Sequence, residues 1–263
     1  MSKFHSFHIV DQSPWPIICS FNSMNLLTNL TVYIKFSSVS SFNLLLTSLI
    51  FLIFSSMLWW RDITREATFQ GHHTLNVLKG LKISMILFIS SEIMFFFSFF
   101  WSFFHSSLAP ELEIGNSWPP SNIVVFNPYQ IPLLNTIILL SSGVSVTWAH
   151  HAILVKSYYK TFFALTITVL LGILFSYFQF LEYNWSEFSL NDSIFGSTFF
   201  MATGFHGFHV LIGTIFLFIN WLRLLKSQFN NKHHFSFEAA AWYWHFVDVV
   251  WLYLYIFVYW WFY

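Results

Sequence analysis

Twelve histidines and 11 carboxylates sit in a chain that is 56% hydrophobic, so an ionisable side chain inside an apolar run is a candidate for chemistry. Glu92 is the clearest case. Between Lys82 and His105 it is the single formally charged residue, ten positions past Lys82. On a helix it would lie roughly 15 Å into the run, near the middle of a hydrocarbon core about 30 Å thick. A charge at that depth costs about 2.5–3.5 kcal/mol even on lenient insertion scales. Two readings stand: a protonated Glu that only hydrogen-bonds a neighbouring helix, or a residue of a proton- or lipid-linked site. On either, Glu92 should be neutral, hydrogen-bonded or both. Depth selects the partner. His209 lies 14 residues and His206 lies 17 residues before Arg223, about 21 and 26 Å from the basic side. His209 is the better match, and Gly207 and Gly213 should let its helix come close.

Three other clusters compete. His206 and His209 stand at i, i+3 on one helical face and could ligate a metal or a haem. No further ligand follows at suitable spacing, so hydrogen bonding across helices is the simpler role. His245 and Asp248 are also spaced i, i+3. A di-iron bundle needs Glu-x-x-His on two helices; here the order is reversed and occurs once, so an Asp fixed by its neighbouring His is expected. Asp248 lies at a depth similar to Glu92, but two carboxylates would repel. Finally, Trp60, Arg65, Glu66 and His73 fall on the same side as Arg223, His233 and His234. Such basic pockets suit phospholipid head groups, and plain interfacial anchoring is the alternative. The sequence lacks a phosphate-binding glycine loop, a nucleophile–base pair and a zinc signature. Its one cysteine, Cys19, excludes an intrachain disulfide and cysteine-rich metal sites. No catalytic residue and no metal site are expected.

The elements that must position these residues are membrane helices. Charged residues make up only 8% of the chain and mean hydropathy is +0.62, which marks an all-α integral membrane protein. Lys plus Arg balances Asp plus Glu, which argues against nucleic-acid binding. No cleavable targeting segment is expected in the polar start of the chain. With no repeat and no linker, residues 1–263 read as one transmembrane domain. Seven spans are predicted at about 16–36, 41–60, 82–107, 131–155, 162–181, 194–225 and 237–262. The first, rich in Asn, is the weakest. Residues 61–79 read as a polar loop and 110–129 as an irregular Pro-rich one. Taking loops alternately, ten of the 11 Lys and Arg residues, Lys3 among them, fall on one side and only Lys35 on the other. The opposite loops carry Glu111, Glu113, Glu182, Glu187 and Asp192. This asymmetry orients the N-terminus toward the negative side of an energised membrane.

Several strings then carry a family resemblance. They are Trp59-Trp60-Arg61-Asp62, Arg65-Glu66, Thr68-Phe69-Gln70-Gly71-His72-His73 and Phe104-His105-Ser106-Ser107-Leu108-Ala109-Pro110. With them go Trp118-Pro119-Pro120, Trp148-Ala149-His150-His151, Gly204-Phe205-His206-Gly207, and the run from Ala241 through Trp244, His245 and Asp248 to Trp251. Along essentially its whole length the chain resembles the mitochondrial cytochrome c oxidase subunit III family. The resemblance implies seven transmembrane helices, the first two separated from the other five by a lipid-holding cleft. It implies the mitochondrial inner membrane with the N-terminus in the matrix, and partnership with subunits I and II and accessory subunits. Haem and copper would belong to those partners, with no cofactor in this chain beyond bound phospholipids. The family's buried carboxylate matches Glu92, and its lipid contacts match Trp60, Arg65, Glu66, His73, Arg223 and His233. The implied activity is that of a non-redox subunit of the proton-pumping oxidase. On the residues alone, a transporter using Glu92 is the other class, but the inverted repeats and broken helices it would show are not evident.

Overall fold

The computed structural model describes residues 6–121 and 123–263, without the side chain of Glu113; Lys3 lies outside the described residues. The helices are α1 (Trp15–Phe36), α2 (Val39–Thr68), α3 (Leu75–Leu108), α4 (Ile131–Leu154), α5 (Tyr158–Asn184), α6 (Ile194–Leu225) and α7 (Phe235–Leu254). A π-type turn, Tyr255–Trp260, extends α7. Six of these segments, all but α1, are long and apolar enough to cross a membrane. The chain divides into two compact units, residues 1–81 and 82–263, and α3 begins in the first and continues in the second.

Two boundaries correct the sequence reading. The polar segment 61–79 is mostly helical: α2 continues through Arg61, Arg65 and Glu66 to Thr68, and α3 begins at Leu75. Hydropathy misses such ends because a helix can project past the bilayer once its side chains become polar. Likewise α5 runs to Asn184, so Glu182 belongs to a helix rather than to the far loop. The segment after α3 is irregular as expected, save for a short 3₁₀ turn, Leu112–Ile114.

In the first unit, α1 and α2 are joined by two serines. Ser37 adopts the left-handed conformation (φ 46°) and donates its N–H to Tyr33 O at 2.8 Å. Ser38 then caps α2 in a reciprocal box with Ser41. Two of the three Asn residues that weaken the hydropathy of α1 have partners on α2. Asn22 Nδ2 donates to Ser55 Oγ (3.0 Å) and Phe51 O (3.3 Å), and Asn29 Nδ2 donates to Leu44 O at 3.3 Å. Trp15 Nε1 donates to Asp62 Oδ2 at 2.7 Å. Ser41, Ser48 and Ser55, each one heptad apart, are buried on α2 and keep that face small.

In the second unit the core centres on α7. Trp244 and Trp251 are fully buried and reach α4, donating their indole N–H to Ser142 Oγ (2.8 Å) and Thr136 Oγ1 (2.9 Å). Trp244 fits because two positions lack a side chain: a Cβ on Gly172 or Gly213 would stand 2.8 or 2.9 Å from its ring. Gly213 is therefore a contact glycine, though toward α7. Gly207, expected to serve likewise, faces open space. Cross-helix bonds lock α4 to α5 (Ser145 with Thr168, 2.7 Å) and α5 to α6 (Trp221 Nε1 to Thr166 Oγ1, 2.9 Å).

The α1–α2 pairing has a direct test. Cys19 Sγ lies 3.9 Å from Ser56 Oγ. The Ser56→Cys variant should form a disulfide with Cys19 on mild oxidation; two free thiols surviving in the folded protein would contradict the packing.

Candidate functional site

Glu92 projects from the middle of α3 and meets α6. Its Oε2 lies 2.8 Å from His209 Nε2. The other ring nitrogen, Nδ1, lies 2.7 Å from Phe205 O, one turn back on α6. A carbonyl only accepts, so Nδ1 carries a proton there and fixes the tautomer. Nε2 then meets Oε2 either as an acceptor from a carboxylic acid or as a donor to a carboxylate. In both cases one proton lies in the contact. The pair opens onto a groove of about 610 Å³ lined by Met85, Phe88, Phe95, Phe208, Ile212 and Tyr243 among others. The Glu92 side chain is 21% exposed and that of His209 is 9%. Aromatic rings fix the imidazole: Phe96 edge-on at 4.9 Å and Tyr243 stacked at 6.2 Å.

Among the described residues, the other candidates, His206, His245 and Asp248, contact other elements. His206 turns the other way on α6, is 1% exposed, and lies with Nε2 3.2 Å from Val247 O on α7. One imidazole therefore faces α3 and the other the α5–α7 core, although they lie three residues apart. Asp248 is buried against α4, where a Cβ on Gly143 would stand 2.7 Å from its Oδ2. His245 approaches it at 3.8 Å through Nδ1 and approaches Thr147 Oγ1 at 3.4 Å through Nε2. The His245–Asp248 pair is thus a seam of α4 and α7, separate from Glu92.

The proposed lipid contacts fall in two places. In the first unit, Trp60 is exposed, and the Arg65 side chain is 60% exposed with only a distant contact to Asp62 (4.0 Å). Glu66 is committed to His8, 2.9 Å away, and His8 stacks on His72 at 5.2 Å with His73 edge-on at 5.9 Å. His8 was not singled out in the sequence, because a lone His in a polar leader carries no spacing signal. In the second unit Arg223 is largely engaged. It donates Nε to Gln228 Oε1 (3.1 Å) and Nη1 to Ser236 Oγ (2.5 Å), and it lies over the Phe229 ring at 5.0 Å. Ser236 passes the chain on to Asn220 Oδ1. A forked phosphate contact from Arg223 would have to displace these bonds. His233, in the α6–α7 connection, is held below the ordinary imidazole range by burial, then by the nearby Arg223 guanidinium and the neighbouring His234. It is mainly uncharged at neutral pH and adds little to a basic pocket.

Another buried carboxyl reads in the sequence as a loop residue. Glu182 is 1% exposed; its Oε1 accepts from Tyr259 O–H at 2.6 Å and from Gln179 Nε2 at 3.4 Å. Its position near a span end made it look like a loop residue; the i, i+3 spacing to Gln179 was the available signal.

A polytopic helical membrane protein with a protonated carboxyl–imidazole contact facing an apolar groove is the class this arrangement defines. The cytochrome c oxidase subunit III family model matches residues 5–263. The chain is 55% identical over 258 residues to cytochrome c oxidase subunit 3 of Rhipicephalus sanguineus, covering 98% of this chain and 99% of that one. It is 56% identical over 261 residues to that of Patiria pectinifera, covering 99% of each. With that of Triticum aestivum it shares 55% over 260 residues, covering 99% of this chain and 98% of the other. The chain belongs to the cytochrome c oxidase subunit III family.

The Glu182 cluster gives an ordered prediction. Tyr259→Phe removes the donor from a buried carboxyl and should lower stability by about 1–3 kcal/mol. Glu182→Gln keeps an acceptor for Tyr259 and should cost less. Thermal denaturation of the assembled protein reads both, and a larger loss for Glu182→Gln would contradict the cluster.

Proposed function

We propose that this chain is a non-redox core subunit of cytochrome c oxidase, the respiratory complex that oxidises cytochrome c, reduces dioxygen to water and pumps protons. The match to the family over residues 5–263 carries this reading. In it the chain packs beside subunits I and II and accessory subunits, which hold the haems and coppers, in the mitochondrial inner membrane. Its own contribution is to stabilise the catalytic subunit, bind lipid and sustain proton uptake.

Seven crossings fit this role, with the N-terminus in the matrix. The α1 helix is counted among them because Asn22 and Asn29, which lower its hydropathy, donate to α2, which reduces the cost of carrying them into lipid. The α4–α5 and α6–α7 junctions hold Lys156, Lys226 and Lys232, and Lys79 and Lys160 lie near the starts of α3 and α5, which supports the orientation. Phospholipid is proposed at the basic ends and in the cleft that the family resemblance implies. Arg65 is the favoured phosphate contact, because its guanidinium is the less engaged of the two arginines.

The Glu92–His209 pair supports the proton role by its chemistry. It holds one proton in a groove of apolar side chains, where releasing it would leave a charge without water. Such a pair can retain a proton without a solvent chain and pass it only when a donor or acceptor enters the groove.

Purification through a tag on this chain tests the whole reading. Haem absorbance and oxidase activity should travel with the tagged chain while the larger partners are present, and haem should be absent from the chain once they are removed. The Arg65→Ala form should retain less phospholipid. Haem in the isolated chain, or no oxidase in the purified assembly, would refute the assignment; unchanged phospholipid would refute the role of Arg65.

A further inference from the structure

We propose that His150, His234 and Glu238 form a binding site for a divalent transition cation, with zinc the best chemical match. The three residues come from the end of α4 and the start of α7. Each offers one ligand atom, and these atoms lie within 4.8 Å of one another. Chain spacing does not reveal the group, because the ligands are split between positions 150 and 234–238 and only the i, i+4 pair at the start of α7 is local. Chain spacing alone predicts no metal site, and the fold brings these three ligand atoms together.

The case rests on the geometry around His234, which is 5% exposed. Its Nδ1 lies 3.0 Å from Asn230 O and donates to it, because a carbonyl can only accept. Its Nε2 is buried, has no hydrogen bond among the described residues, and stands 3.4 Å from Glu238 Oε1. In a neutral ring that nitrogen presents a lone pair to a carboxylate oxygen. Two acceptors then face each other in a buried place. A positive centre between them resolves the conflict: either a second proton on His234 or a metal ion.

Three observations favour the ion. A ring nitrogen donating to a backbone carbonyl while the other faces inward is the usual outer shell of a metal-bound His. The 3.4 Å between Nε2 and Oε1 equals the ligand separation of a tetrahedral zinc site, about 3.4 Å for bonds near 2.1 Å. A third neutral donor stands ready in His150, whose ring lies edge-on to that of His234 at 5.6 Å. A protonated His234 paired with Glu238 would require no second imidazole. Two His and one Glu leave the fourth position to water. Lys82 Nζ lies 2.7 Å from Glu238 Oε2, on the oxygen that does not face His234. The Lys82 side chain is 45% exposed, so it can withdraw into solvent when a second cation arrives.

The test uses the assembled, purified complex, stripped with a chelator, loaded with Zn²⁺ and freed of loose metal. Elemental analysis should find one more zinc per complex in the wild type than in His234→Asn or Glu238→Gln. Lys82→Met should bind that zinc more tightly, because it removes a competing cation. Equal zinc in wild type and both ligand variants would overturn the site. If the ligand variants fail to assemble, density decides on the zinc-soaked wild type. A peak about 2.0–2.2 Å from the three ligand atoms supports the site, and its absence at saturating Zn²⁺ means a protonated His234–Glu238 pair instead.

Discussion

A carboxyl group in a hydrocarbon environment must find its partners inside the protein, since neither lipid nor water will supply them. The contact between Glu92 and His209 meets that demand and sets constraints on everything around it. It requires α6 to present His209 toward α3 while His206, three residues earlier, turns into the core. It also requires His209 Nδ1 to be occupied, which Phe205 O provides from within the same helix. Two helices that otherwise meet through Phe side chains are thereby given a fixed register.

What holds α6 in that orientation lies on its other face. Trp244 of α7 fills the space left by Gly172 and Gly213, and Trp251 packs against His206 with ring centroids 5.2 Å apart. Both indoles are tied to α4 by hydrogen bonds. Any bulk at Gly213 would push Trp244 away from α6 and rotate the face that carries His209. At the basic end, Lys82 and Glu238 join the start of α3's apolar run to α7 at 2.7 Å. The polar anchors therefore lie near the start and at the middle of α3, with aromatic packing between them.

The sequence disclosed much of this. Seven helical segments and the contact of Glu92 with His209 follow from hydropathy and depth, which are one-dimensional quantities that a chain displays directly. What it concealed depends on rotation and on distant partners. The opposite facing of His206 and His209 follows from the rotation of α6 in its packing, which sequence spacing leaves open. Glu182 looked like a loop residue because α5 carries its polar end inside the fold against Tyr259. Arg223 looked like a free interfacial cation, but its partners Gln228, Phe229 and Ser236 become neighbours only when the α6–α7 connection folds back. The Asn residues of α1 depressed its hydropathy, because a window average takes no account of the acceptors waiting on α2.

The central claim is that Glu92 and His209 act as one unit, and a double-mutant cycle measures that directly. Glu92→Leu, His209→Leu and the double variant are compared with wild type by the stability of the assembled protein. Each single change should strand the other polar group, so the double variant should lose less than the sum of the two, by about 0.5–3 kcal/mol. Losses that add within about 0.3–0.5 kcal/mol would show that the two side chains act independently and would contradict the account.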